Sequence, residues 1–171
     1  MNRTSAENVL KRPLLSNDLI PALLHGFQRC WRAKEELFFE FLGRKAQGVF
    51  LDLREIPHAR VNGALIQVTP EELTRLKLRE KNYQCIDVSL AITELPPRGR
   101  VYTFRCRPEH WLREGETDAF IPARYMQMVR SGFQEVGPAF LRLYEETTEP
   151  SQLPVLNGSY RFVDPIQALH V

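Results

Sequence analysis

A carboxylate set among the apolar positions of a helix is the strongest chemical signal in this sequence. Thr69, Pro70 and Glu72 spell a helix start: the threonine caps, the proline takes the first turn and the glutamate reaches back. Leu73 and Leu76 come next, on one face. At ~100° per residue, Glu80 falls about 20° from Leu73 and about 40° from Leu76. Glu80 therefore shares the apolar face, whereas Glu71 and Glu72 belong to the capped first turn. A carboxylate facing a core must be paired, hydrogen-bonded or protonated. Desolvation raises its pKa, and an acid tuned towards neutral pH both takes and gives a proton. An ion pair with an arginine, or a turn to solvent where the helix ends, produces the same pattern without chemistry.

The other reactive side chains form weaker patterns. Cys30, Cys85 and Cys106 are far apart. An odd count without framework spacing argues against a disulfide scaffold and for buried thiols in a reducing compartment. Cys106 and His110 bring two metal-ligand types together, but a structural zinc site needs four ligands, so no metal is expected. His25, His58, His110 and His170 have no serine or cysteine partner that spacing identifies, and read as surface or core histidines. The glycines form no phosphate-cradling run, and no nucleophile elbow is present.

The elements that must position Glu80 are short and mixed. Thr4 and Glu7 have capping-box spacing for a first helix, which Pro13 ends. Leu23 to Trp31, Val49 to Leu53 and Gly63 to Val68 read as three strands. Gly63 at the start of the third suggests a bend or the close approach of another backbone. Ile86, Val88, Leu90 and Ile92 alternate with Asp87, Ser89 and Ala91, the cleanest period-two run in the chain. A turn at Pro96, Pro97 and Gly99 leads back along Val101 to Cys106, predicting an antiparallel hairpin. Pro122 opens a helix carrying Tyr125, Val129, Phe133 and Val136. Gly137 stops it and Pro138 starts another. Residues 151–171 lose the pattern and read as a loosely ordered tail across the body.

Composition sets the bounds. A chain of 171 residues, 43% hydrophobic and 26% charged, fits one mixed α/β domain with its own core. Its net charge is +2, from 23 basic against 21 acidic residues, and the basic residues are scattered. A phosphate-tracking surface needs a basic excess or stripe, so no nucleic-acid partner is expected. No apolar run approaches the ~18–20 residues of a membrane span, and Met1 to Lys11 lacks the apolar stretch of a signal peptide. The expectation is a cytoplasmic protein without a membrane partner.

Gly63-Ala64-Leu65, the run from Glu72 through Arg79-Glu80-Lys81-Asn82-Tyr83, and Ile86-Asp87-Val88 together resemble the γ-glutamylcyclotransferase-like family. That family shows a glycine-started strand, a short helix ending in Arg-Glu, an aromatic residue and a new strand. The helix from Pro122 through Tyr125 and Val129 to Gly137 is similar to the family's C-terminal helix. The resemblance implies an α+β fold, a small mixed β-barrel with flanking helices, spanning residues 1–150. It implies that the α-amine of a γ-glutamyl group attacks its own γ-carbonyl, releasing 5-oxoproline and an amine or peptide. Glu80 matches the family's acid–base glutamate, and Tyr125, with Gly63 and Tyr83, falls on the substrate side. No cofactor is implied; the partner is a small γ-glutamyl compound. The family opens with a strand ending in a Tyr-Gly-Ser-Leu type loop whose amides hold the glutamyl head group, and Met1 to Glu7 corresponds to the stretch just after that loop. Either the start lies further upstream, or this is a shortened member without those donors, acting as a binding or interaction module.

Overall fold

Two long antiparallel strands, β1 (Ile20–Phe39) and β2 (Arg44–Leu65), organise the chain. They pair from Ile20 opposite Leu65 to Phe39 opposite Arg44. The computed structural model describes residues 3–93, 99–116 and 118–168. Three separate short strands were expected over this stretch. The ladder is instead continuous but shifts register between His25 and Phe27 and between Trp31 and Ala33. Gly26, at φ 79°, takes a left-handed conformation at the first shift. Each shift flips the inward face, so the alternation is legible only in pieces.

Three further strands complete a mixed sheet. β5 (Ala119–Pro122) runs parallel to β2 at Gln47 and Gly48, and β6 (Val155–Leu156) runs parallel to β5. β7 (Tyr160–Phe162) pairs antiparallel with Leu37–Phe39 of β1. The order is β6-β5-β2-β1-β7. The sheet therefore has two edges, and among the described residues it does not close into the barrel that the resemblance implied. The segment from residue 151, expected as a loose tail, supplies the strand at each edge. Tyr160 and Phe162 pack against Phe50 and hold it there.

β3 (Tyr83–Asp87) and β4 (Tyr102–Cys106) form the expected antiparallel hairpin, a sheet of their own. β3 is shorter than its alternation suggested. Asp87 Oδ1 accepts from the Ser89 amide at 3.0 Å and hydroxyl at 2.6 Å. This local turn competes with the ladder and ends the strand; Leu90 is then 98% exposed. Pro96 and Pro97 lie outside the described residues.

The helices are α1 (Arg3–Leu10), α2 (Pro70–Arg79), α3 (Ala123–Val136), α4 (Pro138–Thr147) and α5 (Pro165–Ala168). α2 has the full capping box: Thr69 Oγ1 accepts from the Glu72 amide, and Glu72 Oε2 accepts from the Thr69 amide. α1 differs from expectation. It already includes Arg3, ahead of Thr4, and Glu7 Oε1 accepts from the Leu14 amide, pinning the chain beyond the helix instead of closing a box. Pro122 serves as the residue just before α3, one position earlier than expected, and Gly137 at φ 145° separates α3 from α4. Phe39, Leu37 and Val49 are fully buried at the centre of the sheet. Among the described residues no helix is long and apolar enough to cross a membrane.

Candidate functional site

Glu80 closes α2. Its amide donates to the Leu76 carbonyl at 2.9 Å, and its own carbonyl accepts from Tyr83 at 2.8 Å, so one tight turn joins helix to β3. The side chain is 22% exposed and lines a hollow of about 730 Å³ that Glu35, Tyr83 and Tyr125 also line. Thr4, Ser5 and Asn8 of α1 border the same space. Burial raises the Glu80 pKa, and the Arg79 guanidinium, 3.8 Å away, offsets part of that rise. Arg79 is the adjacent residue, so this contact does not tie Glu80 to a distant element.

Two phenols face Glu80. Tyr125 is carried by the first turn of α3 and stands edge-on to Phe50, at 4.8 Å between ring centroids, and to Trp31, at 6.2 Å. The Leu51 backbone lies close enough to its hydroxyl to oppose part of the burial-driven rise in its pKa. Burial raises the pKa of Tyr125 and raises that of Tyr83 well above the ordinary phenol value. Both are neutral donors across the physiological range.

Glu35 was not anticipated. It is 7% exposed, and its Oε2 accepts from Asn82 Nδ2 at 2.8 Å, two residues beyond Glu80. Its Oε1 is buried without a hydrogen-bond partner. Burial raises its pKa, bonds from Gln167 and Asn82 oppose that rise, and the nearby Glu80 charge adds to it. A signal for it existed: in β1 the buried positions Ala33, Leu37 and Phe39 alternate at period two, and Glu35 falls on the same face.

Gly63 is not brought to Glu80. It lines a second hollow, of about 390 Å³, bounded by β1, β2 and α3. A Cβ there would meet nothing within 4 Å, so the expected close approach of another backbone is absent among the described residues. Tyr125, Leu51, Thr103 and Phe104 line both hollows and form the wall between them.

No protein-family model, curated protein or solved structure matches this chain. Among the described residues no group of three or more His, Cys, Asp or Glu side chains is placed to hold a metal ion. Cys106 Sγ approaches the His110 backbone oxygen at 3.7 Å. Burial pushes Cys30 up to about 11 and Cys106 up to about 12, which keeps both as unreactive thiols near neutral pH.

Proposed function

We propose that the Glu80 hollow cyclises a γ-glutamyl amine or peptide to 5-oxoproline, in the manner of the γ-glutamylcyclotransferase-like family. The observation that carries this reading is one desolvated, elevated carboxylate sharing a hollow with two neutral phenols. The α-ammonium of the substrate passes a proton to Glu80, and the free amine attacks the γ-carbonyl. The neutral Tyr83 and Tyr125 hydroxyls, in the same lining, serve as donors for the oxygen that becomes negative. Glu80 then returns the proton to the leaving nitrogen as its bond to carbon breaks, and the new ring nitrogen gives up its second proton to the released amine, which departs as an ammonium. General acid–base help of this kind is worth ~10²–10⁴-fold, and holding the chain folded for five-membered ring closure adds proximity. Gly63 has no part in the reaction as proposed.

The family's barrel and first strand belong to the same reading. On β4, Val101 and Arg107 bond towards β3 and its flanks, so alternate residues point the other way. At Cys106 that edge is met by Asp52 and Trp111. At Phe104, in the wall of both hollows, the amide and carbonyl have no partner among the described residues. An unpaired edge is a template for another strand. A strand added there, ending in a Tyr-Gly-Ser-Leu type loop, would bring amide donors to the substrate oxygen, each worth ~10²–10³-fold.

The test is release of 5-oxoproline, read by mass spectrometry, from γ-glutamyl amino acids, amines and peptides. It compares the chain as given with one carrying such a strand and loop ahead of Met1. Release that disappears in Glu80→Gln is expected; release that survives this substitution unchanged removes Glu80 from the mechanism. Saturable binding of γ-glutamyl compounds without turnover in either form favours the second reading, a binding module, for which the unpaired Phe104 edge is the supporting observation.

A further inference from the structure

The second hollow contains an electrostatic problem of its own. Its walls are largely apolar, formed by Leu24, Leu53, Val61, Val129 and Phe140, with Asp52 and Glu135 also in the lining; the Asp52 carboxylate is taken up by Arg32 and the Cys106 amide. Arg29 also lines it and is only 7% exposed. Its guanidinium lies between the rings of Phe133 and Tyr144, 5.1 and 4.9 Å from their centroids. It donates to Thr148 Oγ1 at 3.1 Å and to the Asn62 carbonyl at 2.5 Å. All four partners are neutral. Among the described residues no carboxylate forms an ion pair with Arg29. A buried cation normally has a counter-charge, because removing it from water is expensive. Burial lowers its pKa only to about 10, so it stays charged at neutral pH.

Beside it is a second unmet requirement. Asn62 is 1% exposed and donates through Nδ2 to the Phe140 carbonyl at 2.7 Å, while its Oδ1 has no partner. Arg29 bonds the Asn62 backbone carbonyl and both residues line the hollow, which places the guanidinium and the Asn62 amide side chain on one stretch of its wall. Gly63, the next residue, leaves open space where a side chain would stand.

We infer that this hollow binds an organic carboxylate with an apolar body and an O–H or N–H donor on the carbon next to the carboxylate. The carboxylate takes remaining N–H donors of Arg29 and supplies the missing counter-charge. The adjacent donor meets Asn62 Oδ1, and the hydrocarbon covers the apolar walls. Each part answers a different observation: the unpaired cation, the unpaired acceptor and the apolar lining. The site is separate from the cyclisation proposed for the Glu80 hollow, and its test does not use 5-oxoproline.

The experiment is calorimetric titration of the full chain at pH 7.5 with 2-hydroxyoctanoate, octanoate and 1-octanol. Saturable binding is expected in that order of affinity, with 2-hydroxyoctanoate at least tenfold tighter than 1-octanol. Arg29→Met should weaken 2-hydroxyoctanoate at least tenfold. Gly63→Leu fills the hollow and leaves Arg29 with all its bonds; it should abolish binding, and it decides the matter if the Arg29 variant does not fold. Absence of saturable binding, equal affinity for 1-octanol, or unchanged binding in Gly63→Leu would overturn the proposal.

Discussion

The two hollows share one wall and differ in the buried ionisable group each presents. One holds Glu80 and Glu35 beside Arg79 and Arg124, the other Arg29 beside Asp52 and Glu135. In both, burial disfavours the charged form, raising the carboxylates and lowering the guanidinium. The consequences differ because the starting values differ. A raised carboxylate moves towards neutral pH and gains the ability to exchange protons. An arginine lowered to about 10 is still a fixed cation there. The Glu80 hollow is thus suited to moving a proton, and the Arg29 hollow to holding an anion. Desolvation on two sides of a wall yields a candidate catalyst on one side and a candidate binding site on the other.

The largest effect that would break this contrast is on turnover. Glu80→Gln keeps the shape of the side chain and removes its proton chemistry, so 5-oxoproline release should fall by ~10²–10⁴-fold, measured as kcat/KM on the best γ-glutamyl substrate. Next comes the junction that joins the two sheets beside both hollows. Asp52 is fully buried, binds Arg32 Nε at 2.7 Å and accepts from the Cys106 amide at 2.7 Å. Asp52→Ala should lower the unfolding free energy by about 3 kcal/mol in urea titration. That is the low end for a broken buried pair, because Arg32 keeps the Leu53 carbonyl and the Trp111 face. A loss under about 1 kcal/mol would mean that the Asp52 carboxylate does not secure β4 and Arg32 to β2.

Tyr125→Phe sharpens the comparison within the wall itself. It removes a hydroxyl from the Glu80 hollow and leaves the ring against Phe50 and Trp31, so stability should change by less than about 1 kcal/mol. Turnover should fall, measured as kcat/KM on the same substrate. The smallest effect concerns Glu35. Its folded-state pKa is raised, so the native chain holds a proton that the unfolded chain releases more readily. Its contribution to stability therefore falls as pH rises from the ordinary carboxylate range through the raised value. Glu35→Gln has no such proton to lose. The urea midpoint of the variant should gain on the wild type between pH 4 and pH 8, and a constant difference would contradict the raised pKa.

Local patterns were legible wherever backbone chemistry and side-chain period agreed. Thr69, Pro70 and Glu72 capped α2 as expected, Gly137 and Pro138 separated two helices, and the β3–β4 hairpin formed in the anticipated order. That placed Glu80 and Tyr83, joined by one turn, and Tyr125, from a helix later in the sequence, around one hollow. The illegible parts are equally physical. Register shifts in β1 and β2 hid one long ribbon behind three short strands. β6 and β7, of two and three residues, are too short to show a period, and pairing with existing edges decides them. Glu35 carries little local signal, because Lys34 and Glu36 on either side give the stretch the composition of a solvated surface. Gly63 was read as a contact point, whereas only the packed structure shows open space above it.

The central claim is that Glu80 is an inward-facing acid whose proton is poised for exchange. It is tested most directly by the carboxyl ¹³C chemical shift of Glu80, assigned through Glu80→Gln and monitored from pH 3 to pH 9. The account predicts a midpoint above the ordinary glutamate range that moves when a γ-glutamyl compound is added. A midpoint at or below that range, indifferent to such compounds, would show a solvated or ion-paired carboxylate and contradict it.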